Sequence, residues 1–358
     1  MRSKNHPWLA AGAALMAYLS AAIVAGAQST PSRSLLALSK RNHTLVIVSP
    51  KSLQVIARAP VGPDPHEVIA SPDGKTAYIS IYGGGRYHAI SVIDLVGQKA
   101  LPDIDTGVLN GPHGLAFAGG KVWFTAEGAK VVARYDPATA KIDWIMGTGQ
   151  NRTHMIYVTP DEERIYATNV SSATVSILER IALPPGPPSG VRQQHDSQAP
   201  PPAANQARMD WNQTVIPVGK GDEGFDISPN GRELWTANAQ DGSLSVIDLT
   251  TRKVTATLDA KLFSANRLKF TPDGKLVLIS SLRNGDLVIY DAARREVFKR
   301  VKIGHGAAGI LMDSQANRVF IACTPDNYVA VLDLKTLAVT GHIDVGGEPD
   351  GLAWAIRP

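Results

Sequence analysis

Three histidines and one glutamate are the residues whose types and spacing could support chemistry. His66, His113 and His154 recur at intervals of 47 and 41 residues, and Glu127 lies between the last two. Imidazole and carboxylate groups are ligands of zinc and other divalent metals, and three protein ligands leave one coordination position open. A neutral histidine beside Glu127 could instead act as a general base. We therefore take His66, His113 and His154 as candidate ligands of a divalent metal ion, and His113 with Glu127 as a candidate catalytic pair.

The same position in other copies of the repeat carries different residues. Six residues before the proline of each repeated turn, or before the equivalent position where the proline is absent, stand Glu223, Asn266, Ala308 and Asp350 in place of histidine. The repeat itself therefore does not require histidine. A polar, solvated surface or a purely structural set of hydrogen bonds remains an alternative to a metal or catalytic site. The predicted ligand-binding residues are Asn169, Glu223, Asn238, Arg267, Arg283, His305 and Asp350.

Recurring phrases indicate the elements that must position these residues. SPDGK at 71–75 and TPDGK at 271–275 each precede an apolar, β-branched run. Asp-Gly tolerates the positive φ of a tight turn, so these segments predict hairpins. The copy at 159–162 has Glu162 in place of glycine, and we expect it to turn differently. A further phrase, SVIDL at 91–95 and 245–249, predicts a third strand, and a fourth apolar stretch follows it.

Each unit therefore contains four strands in about forty residues, which is typical of one propeller blade. Six complete units run from about residue 64 to 346. Residues 34–62 supply only the later strands of a unit, and residues 351–355 supply the missing first strand. Joining the two ends gives an all-β, seven-bladed β-propeller of four-stranded antiparallel blades without a free sheet edge between the termini. We expect the first strands to place the aligned residues at one mouth of the central channel.

One long step interrupts the repeat. Residues 183–212 are rich in proline and polar residues, which predicts a surface insertion between two strands of one blade. The prediction is a single propeller domain over residues 28–358 that carries this insertion.

The repeats resemble those of the YVTN family. Residues 165–169 (IYATN) and 234–238 (LWTAN) are similar to the phrase that names that family, and the SPDGK and SVIDL phrases fit its pattern. The resemblance covers essentially the whole chain after residue 27 and implies an exported propeller of the YncE-like type with a binding role. The third blade, with GPHGLAF at 111–117 and VWFTAE at 122–127, is instead similar to repeats of virginiamycin B lyase, a propeller enzyme.

Composition and the first residues indicate the compartment. Arg2 and Lys4 precede an apolar run from Trp8, and Ala-Gly-Ala at 25–27 is typical of a cleavage site, so residues 1–27 predict a signal peptide. An uncleaved membrane anchor is the alternative, because the run is almost long enough to span a bilayer. We expect no membrane span after removal of the signal, and a periplasmic or secreted protein. The formal net charge of +4 is too small to indicate nucleic-acid binding.

These patterns favour a propeller that binds a small ligand, a metal ion or a protein partner at a histidine-lined channel mouth. The alternative is a metal-assisted lyase or lactonase acting at the same mouth through His66, His113, His154 and Glu127. A third interpretation is a structural platform that uses the rim of the propeller.

Overall fold

The chain folds into seven four-stranded antiparallel sheets arranged around one axis. A computed structural model describes residues 28–183 and 208–358. The first strand of every blade contacts the first strands of both neighbouring blades, which closes the ring. The predicted seven-bladed β-propeller is thus confirmed.

The strands of each blade are adjacent in the order in which they run outward from the axis. Blades 1 to 4 comprise β28 (Pro349–Ile356), β1 (Arg33–Ser39), β2 (Thr44–Val48) and β3 (Val55–Pro60); β4 (Pro65–Ala70), β5 (Thr76–Ile81), β6 (Ala89–Asp94) and β7 (Lys99–Asp105); β8 (Pro112–Ala118), β9 (Lys121–Ala126), β10 (Val131–Asp136) and β11 (Lys141–Gly147); and β12 (Thr153–Val158), β13 (Arg164–Asn169), β14 (Thr174–Leu183) and β15 (Arg208–Pro217). Blades 5 to 7 comprise β16 (Asp222–Ile227), β17 (Glu233–Asn238), β18 (Ser243–Asp248) and β19 (Lys253–Asp259); β20 (Ala265–Phe270), β21 (Leu276–Ser281), β22 (Asp286–Asp291) and β23 (Glu296–Lys302); and β24 (Ile310–Asp313), β25 (Arg318–Cys323), β26 (Tyr328–Asp333) and β27 (Ala338–Ile343).

Helical structure is minimal. Two single-turn 3₁₀ segments lie at Gly83–Gly85 and Thr324–Asp326. Across residues 28–183 and 208–358, no helix has the length and apolar character that crossing a bilayer requires.

The core lies between the blades. Seven clusters of buried apolar side chains each combine residues of two adjacent blades, one cluster for every interface around the ring. Trp123 of blade 3 packs with Ile165 of blade 4, for example, and Phe320 of blade 7 packs with Val46 of blade 1. Alternating residues of the middle strands face opposite neighbours, as the two-residue period of a strand requires. Burial of this kind makes each blade depend on both neighbours.

The first-to-second-strand turns follow the predicted chemistry. Gly74 has a φ of 64°, and its amide donates to the Ser71 carbonyl oxygen. The expectation that the copy with Glu162 turns differently is wrong. Glu162 adopts a φ of 57°, and its amide donates to the carbonyl oxygen of Thr159 in the same way. The surrounding hydrogen bonds therefore hold a non-glycine residue in a left-handed conformation that glycine adopts without strain.

The two ends of the described chain close the ring. Strand β28 pairs antiparallel with β1, with Leu36 opposite Ala353, and the Arg357 amide donates to the carbonyl oxygen of Ser32. This pairing removes the free edge that β1 would otherwise expose. The expectation of a shared blade is confirmed.

Two sequence predictions fall wholly or partly outside the described residues. The predicted signal peptide, residues 1–27, lies outside them. Of the predicted insertion at 183–212, residues 184–207 lie outside, and the flanking residues belong to β14 and β15, which pair with each other in blade 4.

Candidate functional site

A bulge in the first strand of six blades aims one residue at the channel. Regular pairing with the second strand stops just before this residue and resumes two residues after it. Bulges leave a residue unpaired and redirect its side chain. The redirected residues are His66, His113, His154, Glu223, Asn266 and Asp350.

Hydroxyl groups on the second strands hold this position in register with the next blade. Thr125 Oγ1 accepts from the amide of Gly114, which follows His113, and donates to the carbonyl oxygen of His154 in the next blade. Thr168 makes the equivalent pair of bonds, to the Met155 amide (3.2 Å) and the Glu223 carbonyl oxygen (3.0 Å). We call these bonds the hydroxyl links. They explain why Ser or Thr recurs in the second-strand phrase.

The aligned residues surround one cavity of about 300 Å³ at the channel mouth. Its lining includes most of the site residues that the repeat alignment predicted. Its lining consists of Lys40, His66, Tyr82, His113, Arg152, His154, Glu223, Asn266, Arg267, Leu282, Ala308, Thr324 and Asp350. We call it the mouth cavity.

His154 lies between two carboxylates. Its Nδ1 contacts Glu127 Oε1, and its Nε2 is 2.8 Å from Glu223 Oε2. Burial alone would lower the pKa of His154, but the negative charges of Glu223 and Glu127 outweigh burial and raise it to about 9. Burial likewise opposes ionisation of Glu223, yet the charge of His154 lowers the pKa of that carboxyl to about 2. At neutral pH the group is therefore an imidazolium between two carboxylates.

His113 has the opposite electrostatic character. Its ring lies against that of His154 at an angle of 35°, with centroids 3.8 Å apart, and the residue is 2% exposed. Burial, reinforced by the positive charge of His154, lowers the pKa of His113 well below its ordinary value. Its Nδ1 is buried and has no hydrogen-bond partner within the described part of the chain. The site thus holds a neutral imidazole with an unused nitrogen atom.

Glu127 joins these histidines to a second group of residues. Its Oε2 accepts from the Tyr82 hydroxyl (2.5 Å) and from Arg152 Nε (3.3 Å). Although burial opposes ionisation of Glu127, the bond from His154 and the charges of His154 and Arg152 lower the pKa of its carboxyl. Arg152 Nη2 also lies 3.5 Å from Glu223, so the guanidinium spans both carboxylates.

His66 belongs to a neighbouring cluster of charged residues in the mouth cavity. Its Nε2 lies 2.8 Å from Lys40 Nζ and 3.0 Å from Asp64 Oδ1, and its Nδ1 lies 3.5 Å from Asp350 Oδ2. The rings of His66 and His113 are 5.0 Å apart. His66 therefore adjoins the His113 group without sharing its carboxylates.

Two mouth residues hold unfavourable backbone conformations. Asp64 and Arg152 each stand two residues before the aligned histidine of their blade, with φ of 56° in both cases. Gly111 and Gly221 occupy the equivalent position in blades 3 and 5, also with positive φ. A non-glycine residue is disfavoured there. Ser264 and Glu348 hold the same conformation in blades 6 and 1, so the left-handed residue is a general feature of this turn.

Glu127 contacts residues of the lining without belonging to it, and four of the seven predicted ligand-binding residues also lie outside it. Asn169 and Asn238 lie beneath it, where their amide groups donate to Ser176 and Ser245 within the same blades and brace the third strand. Arg283 is exposed beyond Leu282. His305 has an 83% exposed side chain and contacts Asp326.

Sequence analysis missed Lys40 and Tyr82, which line the mouth cavity. Both directly follow the second strand, at the repeat position that Glu127 occupies in blade 3. Extending the alignment from the first strand to this loop would have found them. Arg152 and Asp64 carried a weaker signal, since they stand where other blades have glycine.

One group of described residues has the geometry to hold a metal ion. His113, Glu127 and His154 each offer a ligand atom, and these atoms all lie within 4.8 Å of one another. All three are buried. His66, the third histidine predicted as a ligand, lies outside this group.

Comparison with known proteins gives one partial family match. Residues 203–313 match the Cytochrome D1 heme domain family. This range runs from blade 4 into blade 7 and excludes His66, His113 and His154. No curated protein shows a significant match to the sequence.

Solved structures share the fold at low identity. A protein of unknown function from Desulfotomaculum acetoxidans is 10% identical, with a TM-score of 0.68, 91% of this chain covered and 99% of the other. A candidate 6-phosphogluconolactonase from Bacteroides uniformis is 14% identical, with a TM-score of 0.69, 90% of this chain covered and 99% of the other. The dihydro-heme d1 dehydrogenase NirN, in complex with DHE, is 14% identical, with a TM-score of 0.59, 91% of this chain covered and 75% of the other. These similarities establish the propeller fold.

The mouth cavity does not fit a heme. A flat macrocycle needs extended apolar walls, but Leu282 and Ala308 are the aliphatic residues of this lining, which is otherwise mostly charged or polar. The cavity volume also lies at the lower limit of the range of about 300–1,000 Å³ for ligand pockets. Imidazoles that could ligate iron are present, but the surface to seat the ring is not.

Proposed function

We propose that this protein binds a small polar ligand at the channel mouth, with a divalent metal ion held by His113, Glu127 and His154. The observation that carries the proposal is the convergence of three buried donor groups, one of them a neutral imidazole with an unpartnered Nδ1. Two imidazoles and one carboxylate suit zinc and other divalent transition metals. A three-residue set leaves coordination positions for a ligand that enters the mouth cavity.

Metal binding competes with the proton on His154. A ligand nitrogen must be deprotonated, so a metal ion that binds His154 below pH 9 displaces one proton. Glu223 contacts the other ring nitrogen and stabilises the protonated form. Glu223 would also accept the other ring N–H of a metal-bound His154, as carboxylates beside ligating histidines do, so it supports the metal-bound state as well.

Titration of the EDTA-treated protein with Zn²⁺ tests the proposal. His113→Ala and Glu127→Gln should each reduce zinc affinity at least tenfold, as expected for loss of one of three ligands. Glu223→Gln should reduce affinity, because His154 loses the carboxylate that accepts its other ring N–H, and the wild type should release one proton per zinc bound. Unfolding curves of every variant serve as the folding control. A wild type without zinc affinity, or Glu127→Gln with unchanged affinity, would contradict the proposal.

A metal-assisted lyase or lactonase is the second candidate. It is favoured by His66, which adjoins the donor group at 5.0 Å but does not belong to it, and so remains available to transfer a proton. A metal ion polarises a carbonyl oxygen toward attack. Hydrolysis of the lactone dihydrocoumarin by zinc-loaded protein tests this candidate. His66→Ala should abolish turnover and retain zinc, whereas a zinc-loaded wild type without turnover counts against lactonase activity.

We further propose that the protein is exported and that its repeats are of the YVTN type. The sequence pattern of residues 1–27 and the phrases at 165–169 and 234–238 support both statements. We propose that the mature protein begins near Gln28 and acts in the periplasm or outside the cell. N-terminal sequencing of the protein expressed from the full reading frame would check the cleavage site.

A further inference from the structure

An ion pair that crosses the channel closes the base of the mouth cavity. Glu67 and Arg267 stand one residue after His66 and Asn266, in blades 2 and 6, and their side chains contact each other across the axis. Their side chains are 14% and 8% exposed. Arg267 also donates to the carbonyl oxygen of Asn266 (3.3 Å). The mouth cavity is therefore a pocket with a floor, and a ligand enters it from one face.

The walls of this pocket present charges in opposite-sign pairs. Lys40 Nζ lies 3.4 Å from both Asp64 and Asp350, and Arg152 Nη2 lies 3.5 Å from Glu223. These separations exceed ordinary hydrogen-bond distances. Each cation already faces a carboxylate, so a fully charged ligand group would meet repulsion as well as attraction. A hydroxyl group, by contrast, can accept from the cation and donate to the carboxylate of the same pair.

Asn266 adds an acceptor without a partner. Its side chain is 8% exposed and lines the pocket, and its Oδ1 has no hydrogen bond among the described residues. Buried polar atoms in native proteins are nearly always bonded, so an exception calls for an explanation. The atom is out of reach of solvent in this conformation, so a ligand hydroxyl satisfies it once the amide group turns toward the cavity.

We infer that the mouth cavity binds an uncharged, polyhydroxylated small molecule of sugar size, with Asn266 as the acceptor for one ligand hydroxyl. The inference rests on the proposed function for the place of the ligand, and it adds the chemical class. Hydroxyl groups match the loose ion pairs, the unpartnered acceptor and the volume of about 300 Å³. The lining offers neither the apolar wall for a lipid or tetrapyrrole nor the unpaired cations for a polyanion.

Saturation-transfer NMR with D-glucose, D-mannose, D-galactose and myo-inositol as probes tests the inference. The experiment uses the full mature chain, both zinc-loaded and EDTA-treated, with free L-glutamate as a charged comparison. At least one polyol should bind at millimolar concentration, and binding should exceed that of glutamate. Absence of binding by all four polyols, or preferential binding of glutamate, overturns the inference.

Asn266→Leu separates recognition from folding. Because the Oδ1 atom has no partner, its removal should leave the midpoint of thermal unfolding unchanged or raise it. Affinity for the bound polyol should fall about tenfold or more, since a site built for a hydroxyl loses that bond. Asn212→Leu, an exposed position on the outer strand of blade 4, is the matched control and should bind like the wild type. Equal affinities of Asn266→Leu and wild type would refute the assigned role of Asn266.

The two proposals fail in distinguishable ways. Zinc binding without polyol binding refutes this inference and leaves the metal site standing. Polyol binding by a protein that takes no zinc at His113, Glu127 and His154 refutes the metal site alone.

Discussion

At the scale of single residues, Asp222 shows how a repeat accommodates a substitution. Asp222 is fully buried, and its Oδ1 has no partner. It pairs in the sheet with Asn238, whose Oδ1 also lacks a partner. At the equivalent position in blade 4, the Thr153 hydroxyl donates to Asn169 Oδ1. A protonated Asp222 would make the same bond, and burial raises the pKa of its carboxyl well above the ordinary value.

Asp222→Asn should therefore stabilise the protein at alkaline pH. A raised folded-state pKa gives stability that is fully present below the unfolded-state pKa of about 3.9 and is lost as pH rises through the folded-state pKa. Asparagine cannot ionise, and its amide can donate to Asn238. We expect the free energy of unfolding at pH 8 to rise by about 1 kcal/mol or more, with a smaller difference toward pH 4. Urea unfolding of the variant and the wild type at several pH values measures this difference in the free energy of unfolding.

The matched control is Asp273→Asn. Hydrogen bonds from the Thr271 hydroxyl and from the Lys275 amide lower the pKa of Asp273. This substitution should therefore not stabilise the protein at pH 8. Parallel pH profiles for wild type and Asp222→Asn would contradict the prediction.

At the scale of elements, the hydroxyl links connect strand pairing to site geometry. Thr168 of β13 bonds both the amide after His154 and the carbonyl oxygen of Glu223 in the next blade. One side chain thereby fixes the backbone at two neighbouring positions of the mouth. The distance between His154 and Glu223 depends on this link.

Thr168→Val should weaken both the fold and the site. Valine has nearly the same shape but leaves a buried amide and carbonyl group without their bonds, which costs about 1–3 kcal/mol. Urea unfolding measures this loss, and zinc titration should show reduced affinity because His154 is no longer held in register. Thr168→Ser keeps the hydroxyl and should restore most of both properties. Equal losses in the valine and serine variants would show that the methyl group, rather than the hydroxyl, matters.

At the scale of the whole molecule, closure by β28 completes a ring in which no blade has only one neighbour. Deleting residues 349–358 would expose the edge of β1 and remove part of the cluster that Phe320 and Val46 share with Trp354. We expect this truncated protein to lose cooperative unfolding and to aggregate. Circular dichroism on heating and size-exclusion chromatography with light scattering report both effects.

The full-length Asp350→Asn variant controls for the loss of Asp350 from the mouth. It should unfold cooperatively, because the strand pairing is intact. A monomeric truncated protein that melts like this variant would show that closure contributes little to stability.

Sequence reasoning anticipated the large-scale features better than the contacts. The repeat determined the blade number, the shared first blade and the placement of His66, His113 and His154 at one mouth, since apolar periodicity and turn residues are local signals. It could not show that Glu127 and Glu223 bind opposite sides of His154, because side-chain partners across blades depend on the bulge and the ring together. The left-handed turn at Glu162 shows that neighbouring bonds can override a local preference.

The bulged first strands also bear on how such a protein diversifies. Where hydroxyl links secure a bulge, they use main-chain atoms of the aligned residue and its successor, so they place no demand on the aligned side chain. Histidine, glutamate and asparagine accordingly occupy the equivalent bulged position in different blades of one molecule. Mutation can change the side chain at one of these positions without altering the backbone. Relatives with nearly superimposable backbones can therefore evolve unrelated specificities.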